Sequence, residues 1–456
     1  MRLFGRIIRG LVLALVMFIT AIVFWLSFSP PALLLVGTGY AAKIVCSNVF
    51  LAGREPEEVL AQDVQAPGHP LLKLVNVDVD RDAGAVTVRL LGAIAPSTAM
   101  RRDGLGCANV PDGATLEDID PSPARGARPT VSDAAWPAGD GADIPNPAIA
   151  GLLADPALAG PGMRAIVVIK DGRIVGEAYG TGFSAETPLL GWSMAKVVNA
   201  AIIGRLAGEG KIGLDDRELF ADWKEDKRAD IRVRDLMAME SGLEFNEDYG
   251  DVADVTRMLY LEPDMAAFAA DKPLVARRGE VFNYASGSSV LLSRIWMERI
   301  GDTSQALGYP KTALFTPLGM TSAVMEADAA GTFVGSSYVY ATARDWARFG
   351  LFLLQDGVWN GNRLLPEGYV AMMQQPTLAS KGRFTEGQAW QEGPGVVDDE
   401  AFGLPADAYW MLGHDGQSVT IIPSERLIVA RLGLTPSKLG YYQPQKLVKA
   451  VMDGLR

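Results

Sequence analysis

The sequence predicts an α+β fold, in which helices flank an antiparallel sheet, behind an amino-terminal membrane segment. Residues 165–169 and 174–178 are apolar and enclose Asp171-Gly172, a strong signal for a two-residue hairpin turn. Late in the chain, residues 419–422 and 427–432 form a second pair of apolar runs around a turn. Apolar helical patterns fill much of the chain between them. The two hairpins suit an antiparallel sheet.

The composition indicates a globular protein and excludes some functions. The chain has 456 residues, of which 49% are apolar and 21% charged, and this length favours two domains. The net charge is −12 without a cluster of Lys and Arg, which argues against nucleic acid as a partner. Two histidines, His69 and His414, and two cysteines, Cys46 and Cys107, cannot build a metal site of ordinary spacing. We expect neither a metal nor another cofactor.

The amino terminus resembles a membrane anchor. Arg2, Arg6 and Arg9 precede residues 10–28, which carry no charge and form a run long enough to span a bilayer. The positive flank predicts that residues 1–9 are a cytoplasmic tail. The remainder would then lie on the periplasmic side of the inner membrane. A cleaved signal peptide is the alternative, although the uncharged run is long for its apolar region and no Ala-x-Ala site follows at once.

A small region at residues 40–111 follows the anchor. Strand-like runs cover residues 71–79 and 85–91, and Cys46 and Cys107 bracket them. A disulfide is the simplest use of both cysteines in an exported chain. By the chain-entropy model it would stabilise the fold by roughly 4 kcal/mol. Two buried free thiols are the alternative.

Two further segments are interpreted as lacking a site. Gly37-x-Gly39-x-x-Ala42 imitates a dinucleotide-binding loop but has no clear strand before it or crossover helix after it, both of which such a loop requires. Residues 112–147 are rich in Pro, Gly, Ala and Asp, so they predict an irregular connector. A larger domain at residues 148–456 would follow.

The strongest candidate for chemistry is Gly191-Trp192-Ser193-Met194-Ala195-Lys196, which opens an apolar helical pattern. Residues three apart share a helix face, so the Lys196 amine can reach the Ser193 hydroxyl. Burial lowers the pKa of a lysine, and a neutral Lys196 could remove the proton of Ser193. The helix amino terminus also offers N–H groups to an oxyanion. A helix-capping serine beside a snorkelling lysine is the alternative.

Tyr284-x-Ser286 opens a second apolar helix, over residues 289–300. A tyrosine near a cationic lysine can exist partly as phenolate and relay protons, whereas the alternative is a packed tyrosine beside a helix cap. An acidic stretch at residues 244–251 includes Tyr249, a candidate for substrate contact, although such charge runs are usually solvated.

Ser193-x-x-Lys196, Tyr284-x-Ser286 and His414-x-Gly416 occur in this order, far apart in the chain. This series resembles the serine β-lactamase and penicillin-binding-protein superfamily, in its class C-like branch. That branch includes DD-peptidases, esterases and nylon-oligomer (aminohexanoate-dimer) hydrolases. The resemblance implies a β-lactamase/transpeptidase-like fold with an all-helical subdomain, in a serine hydrolase domain at residues 148–456.

The resemblance also implies roles for individual residues in acyl-enzyme hydrolysis of a small ester or linear amide. Ser193 would be the nucleophile, Lys196 its base and Tyr284 the proton donor to the leaving group. The backbone N–H groups of Ser193 and Gln417 would form the oxyanion hole. The implied substrate contacts are Ser286, His414, Gly416 and Tyr249.

Two departures from family β-lactamases affect the expected substrate. Those enzymes usually carry Tyr-x-Asn and Lys-Thr-Gly, where this chain has Ser286 and His414-Asp415-Gly416. A histidine is mostly neutral near pH 7, so the fixed cation that would hold a lactam carboxylate is missing. This favours esters and linear amides, with DD-peptidase or β-lactamase activity as alternatives.

Two interpretations of a different class stay open. Gly191-x-Ser193-x-Ala195 partly imitates an α/β-hydrolase elbow, with His414 in the right order for a triad, but no apolar strand directly precedes the serine. The other is a membrane-anchored binding module without catalytic activity.

Overall fold

The computed structural model describes residues 2–111, 113–117, 119, 134–141, 146–440 and 442–456. It begins with two long helices, α1 (Arg2–Phe28) and α2 (Ala32–Ala52), which are both long and apolar enough to cross a membrane by length and composition. None of the apolar window of α1 is buried, whereas 67% of the α2 window is buried inside the protein. Thus α2 packs as a core helix, whereas the apolar surface of α1 is not covered by the rest of the protein.

Helix α2 contains the glycine motif that imitates a dinucleotide-binding loop. A Cβ atom at Gly39 would lie 3.0 Å from the carbonyl oxygen of Tyr260, so this glycine allows two backbones to pack closely. Both Gly37 and Gly39 lie inside this continuous helix, so they do not form a loop between a strand and a helix.

Four antiparallel strands follow α2: β1 (Val75–Asp80), β2 (Ala85–Leu90), β3 (Ile94–Arg102) and β4 (Gly106–Val110). They form one sheet in the order β1-β2-β3-β4. The first predicted strand starts later than expected because Pro70–Leu74 forms a 3₁₀ helix. Cys46 in α2 and Cys107 in β4 form a disulfide with an S–S distance of 2.02 Å, which ties the helix to the sheet.

The part of the chain after the connector is built on a five-stranded antiparallel sheet. Its strands are β5 (Met163–Lys170), β6 (Arg173–Tyr179), β12 (Tyr409–Gly413), β13 (Gln417–Ile422) and β14 (Leu427–Gly433), in the order β12-β13-β14-β5-β6. Ile166 and Val168 enter one apolar cluster and Val167 and Ile169 the other, because successive strand residues face opposite sides. Helix Ala343–Leu354 covers one face of the sheet.

The remaining elements complete the α+β fold. The chain between β7 (Leu189–Leu190) and β8 (Val324–Met325) is largely helical. Its helices are Ala195–Gly208, Val233–Met237, Asp254–Leu261, Met265–Ala270, Ser286–Ile300, Thr303–Tyr309 and Thr316–Leu318. Strand β9 (Val339–Ala341) lies between β7 and β8 in a small sheet, and β10 (Val358–Trp359) pairs with β11 (Asn362–Arg363). Further helices are Pro56–Val59, Pro147–Leu153, Pro156–Ala159, Tyr369–Met373 and Pro444–Gly454.

The connector expected at residues 112–147 lies largely outside the described residues. Its described part contacts the chain that follows it: Trp136 is fully buried, and the Arg348 guanidinium pairs with Asp140 at 2.8 Å. This part of the connector is therefore packed.

Candidate active site

Ser193 lies in the 3₁₀ turn Trp192–Met194, which leads directly into helix Ala195–Gly208. Trp192 has φ +48°, a left-handed conformation that is costly for a bulky residue and typical of functional turns. Gly191 is required here, since a Cβ would lie 2.2 Å from the ring of Trp346. This turn aims the Ser193 side chain into an open cleft that it lines.

Lys196 is fully buried and its ammonium nitrogen has three hydrogen-bond acceptors. Its Nζ lies 3.2 Å from Ser193 Oγ, 3.2 Å from Ser286 Oγ and 2.9 Å from the carbonyl oxygen of Ser336. Burial lowers the pKa of Lys196 to about 8, against the opposing effect of the Glu247 carboxylate. About a tenth of the lysine is therefore neutral at pH 7 and able to accept the Ser193 proton.

Tyr284 lies beside this pair and keeps its proton. Lys196 Nζ lies 4.8 Å from the centre of the Tyr284 ring. Burial, and then the charge of Glu247, raise the pKa of Tyr284, while a hydrogen bond with Ser193 lowers it by less. The direction of this shift is away from the expected partial phenolate, because burial is the largest of these effects. Tyr284 is placed to donate a proton rather than to remove one.

Glu247 is the residue that sequence reasoning missed. Its carboxylate accepts a hydrogen bond from the Ser286 N–H at 2.8 Å and another from the Ser286 hydroxyl, which itself accepts from Lys196. Glu247 also lines the cleft. Glu247 belongs to the acidic stretch that contains Tyr249. The sequence does not distinguish it from the solvated acidic residues beside it. Ser286 thus joins Lys196 to Glu247 by hydrogen bonds. It is fully buried and does not face the cleft, contrary to the expectation that it contacts substrate.

Tyr249 and His414, two of the four candidates for substrate contact, meet at the cleft. Their rings stack with centroids 5.0 Å apart, and the His414 ring also contacts the edge of Trp192 at 5.7 Å. Gly416 does not join them. Its φ is +87°, and a Cβ there would lie 2.9 Å from Arg431 Nη1, so it is a turn residue facing the domain interior.

Gln417 is buried and turned away from the cleft. Its side-chain amide donates to the carbonyl oxygen of Gly433 at 2.6 Å and accepts from the Gly433 N–H at 2.8 Å. Gln417 also begins β13, the second strand of the sheet, where it lies opposite Gly413 of the edge strand β12.

The edge strand decides which N–H groups face the cleft. The backbone N–H and C=O of Trp410 both bond Trp390, which lies outside the sheet, so they point away from β13. In an antiparallel pair the direction of these groups alternates from one residue to the next. The backbone groups of Gly413, three residues later, therefore point toward β13, where Gln417 lies opposite. This register directs the Gln417 N–H toward Gly413 and away from the cleft, which disfavours its expected role in an oxyanion hole. Gly413 is extended (φ −129°, ψ 158°), so the alternation continues and the His414 N–H points to the open side.

The cleft that Ser193 opens into has a volume of about 580 Å³, which suits a small organic molecule. Phe282, Tyr284, Trp390 and Leu412 give it apolar walls, and Arg383 lies on its lining. Among the described residues, no group of three His, Cys, Asp or Glu side chains could hold a metal ion.

Comparison with known proteins identifies relatives of this fold. A sequence profile of the β-lactamase family matches residues 153–438. A 6-aminohexanoate-dimer hydrolase of Paenarthrobacter ureafaciens is 26% identical over 305 residues, or 60% of this chain and 72% of the relative. A penicillin-binding protein from Bacillus halodurans has a TM-score of 0.52 at 18% identity, over 68% of this chain and 100% of the other. EstCE1, a hydrolase with promiscuous acyltransferase activity, has a TM-score of 0.51 at 15% identity, over 68% of this chain and 97% of the other.

Proposed function

Because the chain belongs to the β-lactamase family, we propose that it is a serine hydrolase that cleaves a carboxylic ester or a linear amide through an acyl-enzyme. The observation that carries this proposal is the buried Lys196 amine, 3.2 Å from the Ser193 hydroxyl and with a pKa lowered to about 8. Such a lysine is neutral often enough near neutral pH to activate a serine.

Ser193 attacks the acyl carbon while Lys196 accepts its proton. The backbone N–H groups of Ser193 and His414 hold the oxyanion, since both lie at the cleft and neither requires a side chain. Tyr284, a neutral phenol, passes its proton to the leaving group and regains one from the Lys196 ammonium, so both residues return to their starting states. A water molecule then attacks the acyl carbon while Lys196 accepts its proton. The Ser193 oxygen leaves the acyl carbon and takes that proton from the Lys196 ammonium.

The substrate class follows from the charges at the cleft. His414 stands where family β-lactamases usually carry a lysine, so this position offers no fixed cation to a lactam carboxylate, and Arg383 is a fixed cation on the cleft lining. The relative from Paenarthrobacter ureafaciens is by its name a hydrolase of a 6-aminohexanoate dimer, and a dimer of an amino acid is joined by an amide bond, which supports the same class.

We place the hydrolase domain outside the cytoplasm, held by α1 as a membrane anchor. The support is the exposed apolar span Arg6–Leu26 behind basic residues, although a signal sequence has the same properties. Protease added to spheroplasts should digest the domain at residues 148–456. Full protection of that domain would exclude this topology.

Covalent labelling with a fluorophosphonate tests the mechanism. Ser193→Ala should abolish labelling, and Lys196→Ala should slow it by about 100-fold or more, because the base is lost. His414→Ala should still be labelled, because it keeps its backbone N–H. Undiminished labelling of the Lys196 variant, together with loss in the His414 variant, would instead support a histidine-based triad.

A further inference from the structure

The main chain around Ser336 holds the catalytic lysine from behind. The Ser336 carbonyl oxygen accepts the hydrogen bond from Lys196 Nζ at 2.9 Å, and Ser336 is fully buried. Glu326 fixes both ends of this segment: its N–H donates to the Tyr338 carbonyl oxygen at 2.8 Å, and its own carbonyl oxygen accepts from the Val334 N–H at 2.9 Å. The position of the Ser336 carbonyl therefore depends on where Glu326 lies.

The side chain of Glu326 is held by the amino-terminal region. Its fully buried carboxylate accepts hydrogen bonds from Lys43 Nζ, from Ser47 Oγ at 2.8 Å and from the Cys107 N–H at 2.7 Å. All three donors precede residues 153–438, which match the family profile. Lys43 and Ser47 occupy successive turns of α2, so one helix face presents both.

A second contact leads from the same helix toward the nucleophile. Lys43 Nζ lies 4.1 Å from the centre of the Tyr338 ring, and the Tyr338 ring lies 6.1 Å from that of Trp192. Trp192 directly precedes Ser193 and is the residue with the left-handed backbone. Helix α2 is thus connected to the Ser193–Lys196 pair by two routes: through Glu326 and Ser336 to Lys196, and through Tyr338 and Trp192 to Ser193.

We propose that the amino-terminal region is part of the catalytic unit, because Lys43 and Ser47 position the base Lys196 through Glu326 and the Ser336 carbonyl. These are positioning residues, since none of them reaches the cleft. The proposal rests on the hydrolase function above. A misplacement of about 1 Å at a reacting group can cost about 100-fold in rate, so loosening this cluster should be visible in the kinetics.

The test compares full-length variants by the rate of fluorophosphonate labelling against pH and by ester turnover per labelled site. Ser47→Ala and Glu326→Gln weaken the cluster. Thr38→Val is the matched control, because it removes a buried α2 hydroxyl that bonds Ser97 at 2.8 Å and does not touch Glu326.

Ser47→Ala should lower kcat by about tenfold with KM within about twofold, whereas Thr38→Val should change neither beyond about twofold. The rising limb of the pH profile should also move to lower pH in Ser47→Ala. The displaced Ser336 carbonyl would no longer accept a hydrogen bond from the Lys196 ammonium, so the pKa of Lys196 would fall. Counting labelled sites removes any effect of unfolded protein, and Ser47→Ala decides the matter alone if Glu326→Gln does not fold.

A Ser47→Ala enzyme with the kcat and pH limb of the parent would overturn the proposal, as would an equal loss in Thr38→Val. The hydrolase function would survive either result, because it depends on loss of labelling in Ser193→Ala.

Discussion

The charge of Glu247 should set the pH at which the enzyme becomes active. Burial lowers the pKa of Lys196, and Glu247, which favours the protonated form, offsets part of that effect, so that the resulting pKa is about 8. Two hydrogen bonds in series, through the Ser286 hydroxyl, join the charges and place them on the order of 5–6 Å apart. At that distance a unit charge is worth about 3 kcal/mol at an effective dielectric of 20 and about 0.7 kcal/mol in water.

The working expectation for Glu247→Gln lies between these limits, at a fall of about one unit in the pKa of Lys196. The neutral fraction of the lysine at pH 7 would rise from about a tenth to about a half. Labelling of Ser193 by a fluorophosphonate should therefore speed up by about fivefold at pH 7. It should change little at pH 9, where most of the lysine is already neutral.

The assay is the second-order rate constant of labelling from pH 5.5 to 10, with Glu244→Gln as the matched control. Glu244 is an exposed member of the same acidic stretch, so this variant makes the same chemical change away from Lys196. If the rising limb stays in place or moves to higher pH in Glu247→Gln, the conclusion that Glu247 raises the pKa of Lys196 is refuted. An equal shift in Glu244→Gln would also refute it, because a distant exposed charge would then act as strongly.

Two other predictions address the substrate and the disulfide. Short-chain esters or small linear amides should be turned over at least about tenfold better, by kcat/KM, than penicillins or cephalosporins, because a lost charge-assisted hydrogen bond is worth about 1.5–3 kcal/mol. His414→Lys should narrow the gap, and a cephalosporin hydrolysed as fast as the best ester would contradict it. Mass mapping of the unreduced protein should yield one cross-linked peptide pair containing Cys46 and Cys107, whereas two freely alkylated thiols would rule the bond out.

The sequence by itself determined the family and much of the fold. Both hairpins of the central sheet were predicted because apolar alternation and a two-residue turn are local signals. Ser193 and Lys196 could be paired without coordinates because residues three apart on a helix turn are neighbours in any fold. The order of the three motifs then identified the superfamily, which the family match confirms.

Tertiary structure alone decided how the site is completed. Whether the N–H of Gln417 or of His414 faces the cleft depends on which strand forms the edge of the sheet and on the parity of its hydrogen bonds. The protonation of Tyr284 depends on desolvation by residues far away in the chain.

The same holds for the two carboxylates that support the lysine. Glu247 and Glu326 both lie far beyond Lys196 in the chain, and neither stands in a motif. Each matters because folding places it beside a particular donor: Ser286 for Glu247 at the cleft, and Lys43 of α2 for the buried Glu326. Local periodicity in the sequence indicates which residues share a face of a helix or strand. Long-range packing decides which charged side chains come together in the folded protein.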